Sequence, residues 1–179
     1  MLCMSTLPNT TSNWLSDCPV GANIALVGLG ANLPAGQSGP AETLRQAVAE
    51  MRPLSLLNPL VSPFLVTEPE DCPPGSPVFM NAVALLCCSI DIKPSGLLAS
   101  LLEIESRLGR KRTGLRNEPR VLDLDLLAFA DECCHSEFLT LPHPRAHQRR
   151  FVLEPLSVIW PDYQFPGQTQ SVKTLLGSL

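Results

Sequence analysis

The run RVLDLDLLAF, from Arg120 to Phe129, constrains the fold of this chain more than any other stretch. In an extended strand successive side chains alternate faces, so Val121, Asp123, Asp125 and Leu127 share one face while Leu122, Leu124 and Leu126 line the other. A dry, unpaired carboxylate is costly to bury, so the acid-bearing face must meet water, positive side chains or a cation. The pattern calls for a sheet with one face on an apolar core. Taken alone it describes a half-solvated strand, and the rest of the chain has to say whether the two acids do chemistry.

The remaining elements follow from periodicity and punctuation. NIALVGLGANL reads as a first strand closed by a turn. From Pro40, PAETLRQAVAEM places Leu44, Ala47, Val48 and Met51 on one helical face. LLNPLVSPFLV is extended and belongs at a sheet edge, because Pro59 and Pro63 cannot donate to a ladder. TEPEDCPPGSP, with four prolines and a glycine in eleven residues, is a surface loop. VFMNAVALLCCSI reads as a buried central strand. KPSGLLASLLEIESRLG reads as a helix with Leu97, Leu98, Leu101, Ile104 and Leu108 inward and Gly109 at its C-cap. After the acid-bearing strand, EFLTLPHPRAHQRRFVLEPLSVIWPDY holds a short strand, a turn at Pro142 and Pro144, and a short helix. The order βαββαβ plus a tail predicts an α+β fold of the ferredoxin-like kind, an antiparallel sheet with helices on one side.

A chain of 179 residues suits one domain. We expect residues 1–21 to form a flexible leader, with no basic residue and no long apolar run, and residues 22–179 to form the single domain. The net charge of -4 gives no general attraction to nucleic acid or to an anionic membrane. Seven cysteines, an odd number without CxxC spacing, suit a reduced, cytoplasmic setting rather than a disulfide framework or a zinc site. The chain is expected to be a monomer acting on small molecules.

Charge is nevertheless focused. Nine of the 13 Lys and Arg lie in two places, Arg107 to Arg120 and Arg145 to Arg150, and the first is the loop RLGRKRTGLRNEPR that leads into the acid-bearing strand. Arginine presents a planar fork of donors matched to phosphate oxygens, while paired carboxylates suit Mg²⁺, which shares its shell with water and phosphates. Together they are the parts of a nucleotide phosphate site. No GxxxxGK[ST] loop is present, which argues against a P-loop kinase. The other class, an RNA-binding module on a ferredoxin-like sheet, lacks its aromatic Arg-Gly-Phe-Gly-Phe-like strand.

Several motifs, in order, resemble the 6-hydroxymethyl-7,8-dihydropterin pyrophosphokinase family over about Asn23 to Phe165. EPRVLDLDLLAF is similar to the family's Gly-Pro-Arg-Thr-hydrophobic-Asp-Leu-Asp signature. LPHPRAHQRRFVLEPL is similar to its Pro-His-Pro and Arg-x-Phe-hydrophobic-hydrophobic-x-Pro-Leu segment. GLGANL resembles the first-strand Gly-Ser-Asn-Leu, and FMNAV the strand that supplies an aromatic and an Asn.

The resemblance implies transfer of pyrophosphate from ATP to the pterin hydroxymethyl group, leaving AMP, in folate biosynthesis. It implies that Asp123 and Asp125 hold two Mg²⁺ ions and that Arg110 and Arg120 act with them in catalysis. It associates Glu105, Arg112, Arg116, His143 and Arg149 with ATP. Phe79 and Phe151 are implied as the aromatics that sandwich the pterin, with Asn81 and the backbone around Thr67 reading its edge. The loops Thr67–Pro77 and Gly109–Pro119 are expected to close over substrate. The chain departs from the family pattern at Asn117 and Glu118, where Trp and Gly are usual, and at Ala31, where Ser is usual. A related pyrophosphokinase acting on another alcohol shares the metal and arginine motifs.

Overall fold

A computed structural model describes residues 9–70, 72–111 and 118–179. Four antiparallel pairings build a five-stranded sheet from β1 (Asn23–Ala31), β2 (Leu60–Val61), β3 (Leu65–Thr67), β4 (Phe79–Cys88) and β5 (Asp123–Phe129). The order is β2-β4-β1-β5, with β3 also on β4. This is the ferredoxin-like arrangement, its second strand split in two. The place of that strand at the sheet edge is as the prolines predict, and where it divides beside Pro63 the Ser62 hydroxyl accepts the Val83 N–H at 3.0 Å and keeps that ladder donor satisfied.

Helices α2 (Pro40–Met51) and α3 (Pro94–Arg107) pack on one face. Each opens on a proline at its first turn, where the missing N–H costs nothing. Leu44, Ala47 and Met51 of α2 and Leu97, Leu101 and Ile104 of α3 are buried against Val27, Leu29, Ala84, Leu86, Leu122, Leu124 and Leu126. Each buried Leu or Ile contributes about 2 kcal/mol to this layer. Gly109, at φ +95°, provides the left-handed residue that ends α3, as its position predicts.

The expectation of helices on one side is corrected. Beyond the small hairpin β6 (Cys134–His135) and β7 (Thr140–Leu141), helices α4 (Arg150–Ile159) and α5 (Val172–Gly177) cover part of the opposite face. Val152, Leu153 and Leu156 bury Leu26, Val83, Leu85 and Leu127 there, beside an aromatic cluster of Trp160, Tyr163 and Phe165. The physical reason is legible afterwards: β1 and β4 are apolar at odd and even positions alike, so both of their faces need cover.

The leader is likewise corrected from residue 9 onward. Asn9–Asp17 form helix α1, whose Trp14 and Leu15 pack on the second core. Trp14 Nε1 donates to the Asn58 carbonyl at 2.7 Å, and the buried Thr11 hydroxyl donates to the Ile159 carbonyl. A segment rich in Asn, Thr and Ser is a poor helix former by itself, and tertiary contacts hold this one. Residues 1–8 lie outside the described residues.

One irregularity sets the phase of β5. Leu26 pairs with Ala128 but Val27 pairs with Leu126, so Leu127 is an extra residue against β1. Before the bulge the alternation is as predicted, with Leu122, Leu124 and Leu126 in the helix-side core. After it the phase inverts, and Phe129 joins that core. Val121, which precedes the strand, also packs there, so it does not share the face of the two acids as the alternation suggested.

Candidate active site

Where α4 and α5 leave the second face uncovered, the sheet opens into a cavity of about 440 Å³, within the range of small-molecule sites. Its floor is made by two residues that have no side chain. Across the strands Asn81 faces Gly30 and Gly30 faces Asp123, while Val83 faces Gly28 and Gly28 faces Asp125. A Cβ on Gly30 would lie 2.9 Å from Asn81 Oδ1, and one on Gly28 would lie 3.4 Å from Leu127. The glycines therefore keep the space between the Asn and the two acids clear. The sequence reading missed them, although their period of two in VGLGA was the available signal.

Asp123 and Asp125 both line this cavity, as the alternation predicted. Arg110 Nη1 contacts Asp123 Oδ1, and Arg120 Nε lies 3.1 Å from Asp123 Oδ2. Arg149 reaches Asp125 Oδ2 at 3.8 Å. Asp125 is enclosed by the protein on most sides although its carboxylate opens to the cavity. Burial, and then the charge of Asp123, push it up to about 6. The hard oxygen donors of the pair fit a divalent cation such as Mg²⁺.

Arg110 is held from behind. Its Nη1 also donates to Glu105 Oε1 at 3.1 Å and to the Leu122 carbonyl at 2.8 Å. Glu105, on α3 and 2% exposed, accepts the Leu124 N–H at 2.8 Å through that same oxygen. Glu105 therefore sits beneath β5 and does not line the cavity, in contrast to the nucleotide contact the resemblance implies. Arg112 and Arg116 lie outside the described residues, as does Asn117.

The aromatic wall is formed by Phe79, at the start of β4, and Phe151, in the first turn of α4. Arg120 lies over the Phe79 ring and Arg149 over the Phe151 ring, each with its guanidinium carbon 5.3 Å from the centroid. Asn81 donates to the Thr67 hydroxyl at 2.7 Å, joining β4 to β3 at the cavity's edge. Asn32, unassigned in the sequence reading, ties two loops together: its amide donates to the Pro77 carbonyl at 3.2 Å and accepts the Arg120 N–H at 2.7 Å. The Arg120 carbonyl in turn accepts from Asn32 and Leu33. The backbone of Arg120 is thereby fixed to the end of β1.

His143 reaches the cavity because its N–H bonds the carbonyl of the bulged Leu127 at 2.8 Å, just after the cis Leu141–Pro142 peptide. Its Nδ1 accepts the Arg145 N–H at 3.2 Å. Burial, with Arg149 and Arg145 nearby, lowers the imidazole to about 4, so it is neutral with its proton on Nε2. Arg145, Glu68, Glu70, Cys72 and Glu118 also line the cavity without having been singled out as site residues. Nothing in their local pattern separates them from ordinary loop residues.

The family model for 7,8-dihydro-6-hydroxymethylpterin-pyrophosphokinase (HPPK) matches residues 26–161. The chain is 32% identical over 171 residues to the 2-amino-4-hydroxy-6-hydroxymethyldihydropteridine pyrophosphokinase of Synechocystis, covering 90% of this chain and 78% of that one. It is 36% identical over 144 residues to the Haemophilus influenzae enzyme of the same name, covering 80% and 85%. A crystal structure of Plasmodium falciparum HPPK-DHPS with pteroate superposes with a TM-score of 0.67 at 14% identity, over 88% of this chain and 44% of that longer one. The last likeness bears on the fold alone. The family match spans most of the chain and includes both acids, and on that ground the chain belongs to the 7,8-dihydro-6-hydroxymethylpterin-pyrophosphokinase family.

Proposed function

We propose that the cavity over Gly28 and Gly30 is where this chain, a pyrophosphokinase of folate synthesis, transfers the diphosphoryl group of ATP to the hydroxymethyl group of 6-hydroxymethyl-7,8-dihydropterin, releasing AMP. The observation that carries the reading is one juxtaposition. Two carboxylates on one strand face, a clear glycine floor, three arginines in contact with the acids, and an aromatic pair open into the same space.

Asp123 and Asp125 would hold two Mg²⁺ ions. When bound, these supply charge neutralisation at the phosphate oxygens and acidify the attacking hydroxyl. The protein's own part is placement. Phe79 and Phe151 present apolar surfaces to a flat heterocycle, while Asn81 and Thr67 offer polar groups to its edge. Arg110 and Arg120 lie where charge grows on the bridging oxygen, which favours the transition state over the ground state. His143, as a neutral donor through Nε2, and Arg149 face the nucleotide. Arg112 and Arg116 are assigned to ATP on sequence resemblance alone. Glu105 acts on the nucleotide through Arg110.

Among the described residues no helix is long and apolar enough to cross a membrane, and the six cysteines there are free thiols. The free thiols support the reading of a cytoplasmic enzyme. Incubation with ATP, Mg²⁺ and the pterin tests the reading of the reaction. AMP and pterin pyrophosphate should appear only when all three are present; release of ADP, or AMP formed without pterin, would reject it.

A further inference from the structure

We propose that Arg120 is an exchangeable counter-ion of this site: its side chain occupies Asp123 and the face of Phe79, so that a divalent metal binds tightly only together with a polyphosphate that draws the guanidinium away. The inference rests on the reading of Asp123 and Asp125 as the metal-holding pair.

Both oxygens of Asp123 are engaged, Oδ1 by Arg110 and Oδ2 by Arg120. The two arginines are held very differently. Arg110 is anchored independently of Asp123, by Glu105 Oε1 and by the Leu122 carbonyl. The Arg120 side chain has no comparable buried anchor among the described residues. Its Nη1 meets the Glu118 carbonyl, at 3.2 Å. Its Nε lies beside Asp123 Oδ2 yet, like the Nε of Arg110, is buried without an aligned hydrogen bond, so the two differ in their Nη1 anchors. Its backbone, by contrast, is fixed on both sides by Asn32 and Leu33. A fixed backbone with a loosely satisfied guanidinium describes a side chain that can exchange partners without moving the strand.

The position blocks two ligands at once. A cation approaching Asp123 Oδ2 meets the positive charge of Arg120, and a ring approaching Phe79 meets the same group at 5.3 Å. A polyphosphate offers anionic oxygens that match the guanidinium fork better than a single misaligned carboxylate oxygen does. Transfer of Arg120 to phosphate frees Oδ2 for metal and uncovers the aromatic face in one movement. Linkage then requires reciprocity, with metal raising the affinity for polyphosphate by the same factor as polyphosphate raises that for metal.

The test is Mn²⁺ binding to the whole chain, read from the electron paramagnetic resonance signal of free Mn²⁺, with and without α,β-methylene-ATP. Wild type should bind Mn²⁺ alone at least about tenfold more weakly than with the analogue, a coupling of about 1.4 kcal/mol. Arg120→Gln should bind Mn²⁺ alone about tenfold more tightly than wild type, and the gain from the analogue should shrink. Arg120→Lys, which keeps the charge, should stay near wild type. Equal Mn²⁺ affinity in wild type and Arg120→Gln would overturn the proposal while leaving the metal assignment intact, as would tight binding by Arg120→Lys. Should Asp123→Asn bind Mn²⁺ as wild type does with the analogue present, the metal assignment fails and the proposal with it.

Discussion

Glu105 accepts the Leu124 N–H at 2.8 Å from beneath the strand whose upper face carries Asp123 and Asp125. The same oxygen lies 3.1 Å from Arg110. A helix residue thus ties the strand of the acids to one of the arginines that face them. Glu105→Ala leaves a buried N–H and a nearly buried guanidinium short of an acceptor, and should destabilise the fold by about 3 kcal/mol. Glu105→Gln keeps an oxygen for Leu124 and should cost less. Urea unfolding of the two variants measures the difference, and equal losses would mean that an oxygen acceptor at this position contributes nothing.

The two acids should differ in their effect on stability although both are needed for turnover. Asp123 lies against both Arg110 and Arg120, whereas Asp125 meets Arg149 at 3.8 Å and is pushed up to about 6 by burial and the charge of Asp123. Asp123→Asn should lower the midpoint of thermal unfolding, and Asp125→Asn should leave it unchanged or raise it. Each should reduce AMP formation by at least about 10³-fold, equivalent to about 4 kcal/mol. Rates and melting curves on the same preparations test both halves.

Gly30→Ala places a methyl group 2.9 Å from Asn81 Oδ1, so the amide must turn and give up its bond to Thr67. The expected result is a rise in KM for the pterin of about tenfold, about 1.4 kcal/mol of binding, with a smaller change in KM for ATP. Steady-state kinetics with each substrate varied in turn would show it. An equal rise for both substrates would place the floor's role elsewhere.

His143 sets a sign that pH titration can read. Its value in the fold is lowered from 6.5 to about 4, so between those limits the unfolded chain binds more protons than the native one. The contribution of this group to stability is present above pH 6.5 and is lost as pH falls toward 4. Stability of the wild type should therefore fall more steeply over that window than stability of His143→Asn. Parallel curves from chemical unfolding at about pH 7.5, 6, 5 and 4.5 would contradict the buried, neutral imidazole. Nucleotide affinity, by the same reasoning, should show no step near 6.5 that His143→Asn abolishes.

Much of this was legible in the residues themselves. The alternation of Leu122 to Leu126 placed both acids on one face, the spacing of Leu97, Leu101 and Ile104 oriented α3, and Pro59 and Pro63 put their segment at the sheet edge. Gly109 ended its helix, and the motif order named the family. These features are local: a period of two or of 3.6, a missing N–H and a permitted φ act within one element. Tertiary structure decided the rest. Only the register of β1 against β4 and β5 puts Gly30 between Asn81 and Asp123, only the bulge at Leu127 turns Phe129 into the core and frees a carbonyl for His143, and only packing keeps α1 helical. Likewise Glu105 lies behind the strand and Arg120 over Phe79 because distant segments meet there. Such contacts depend on how separate segments are aligned in space, which no single segment's pattern encodes.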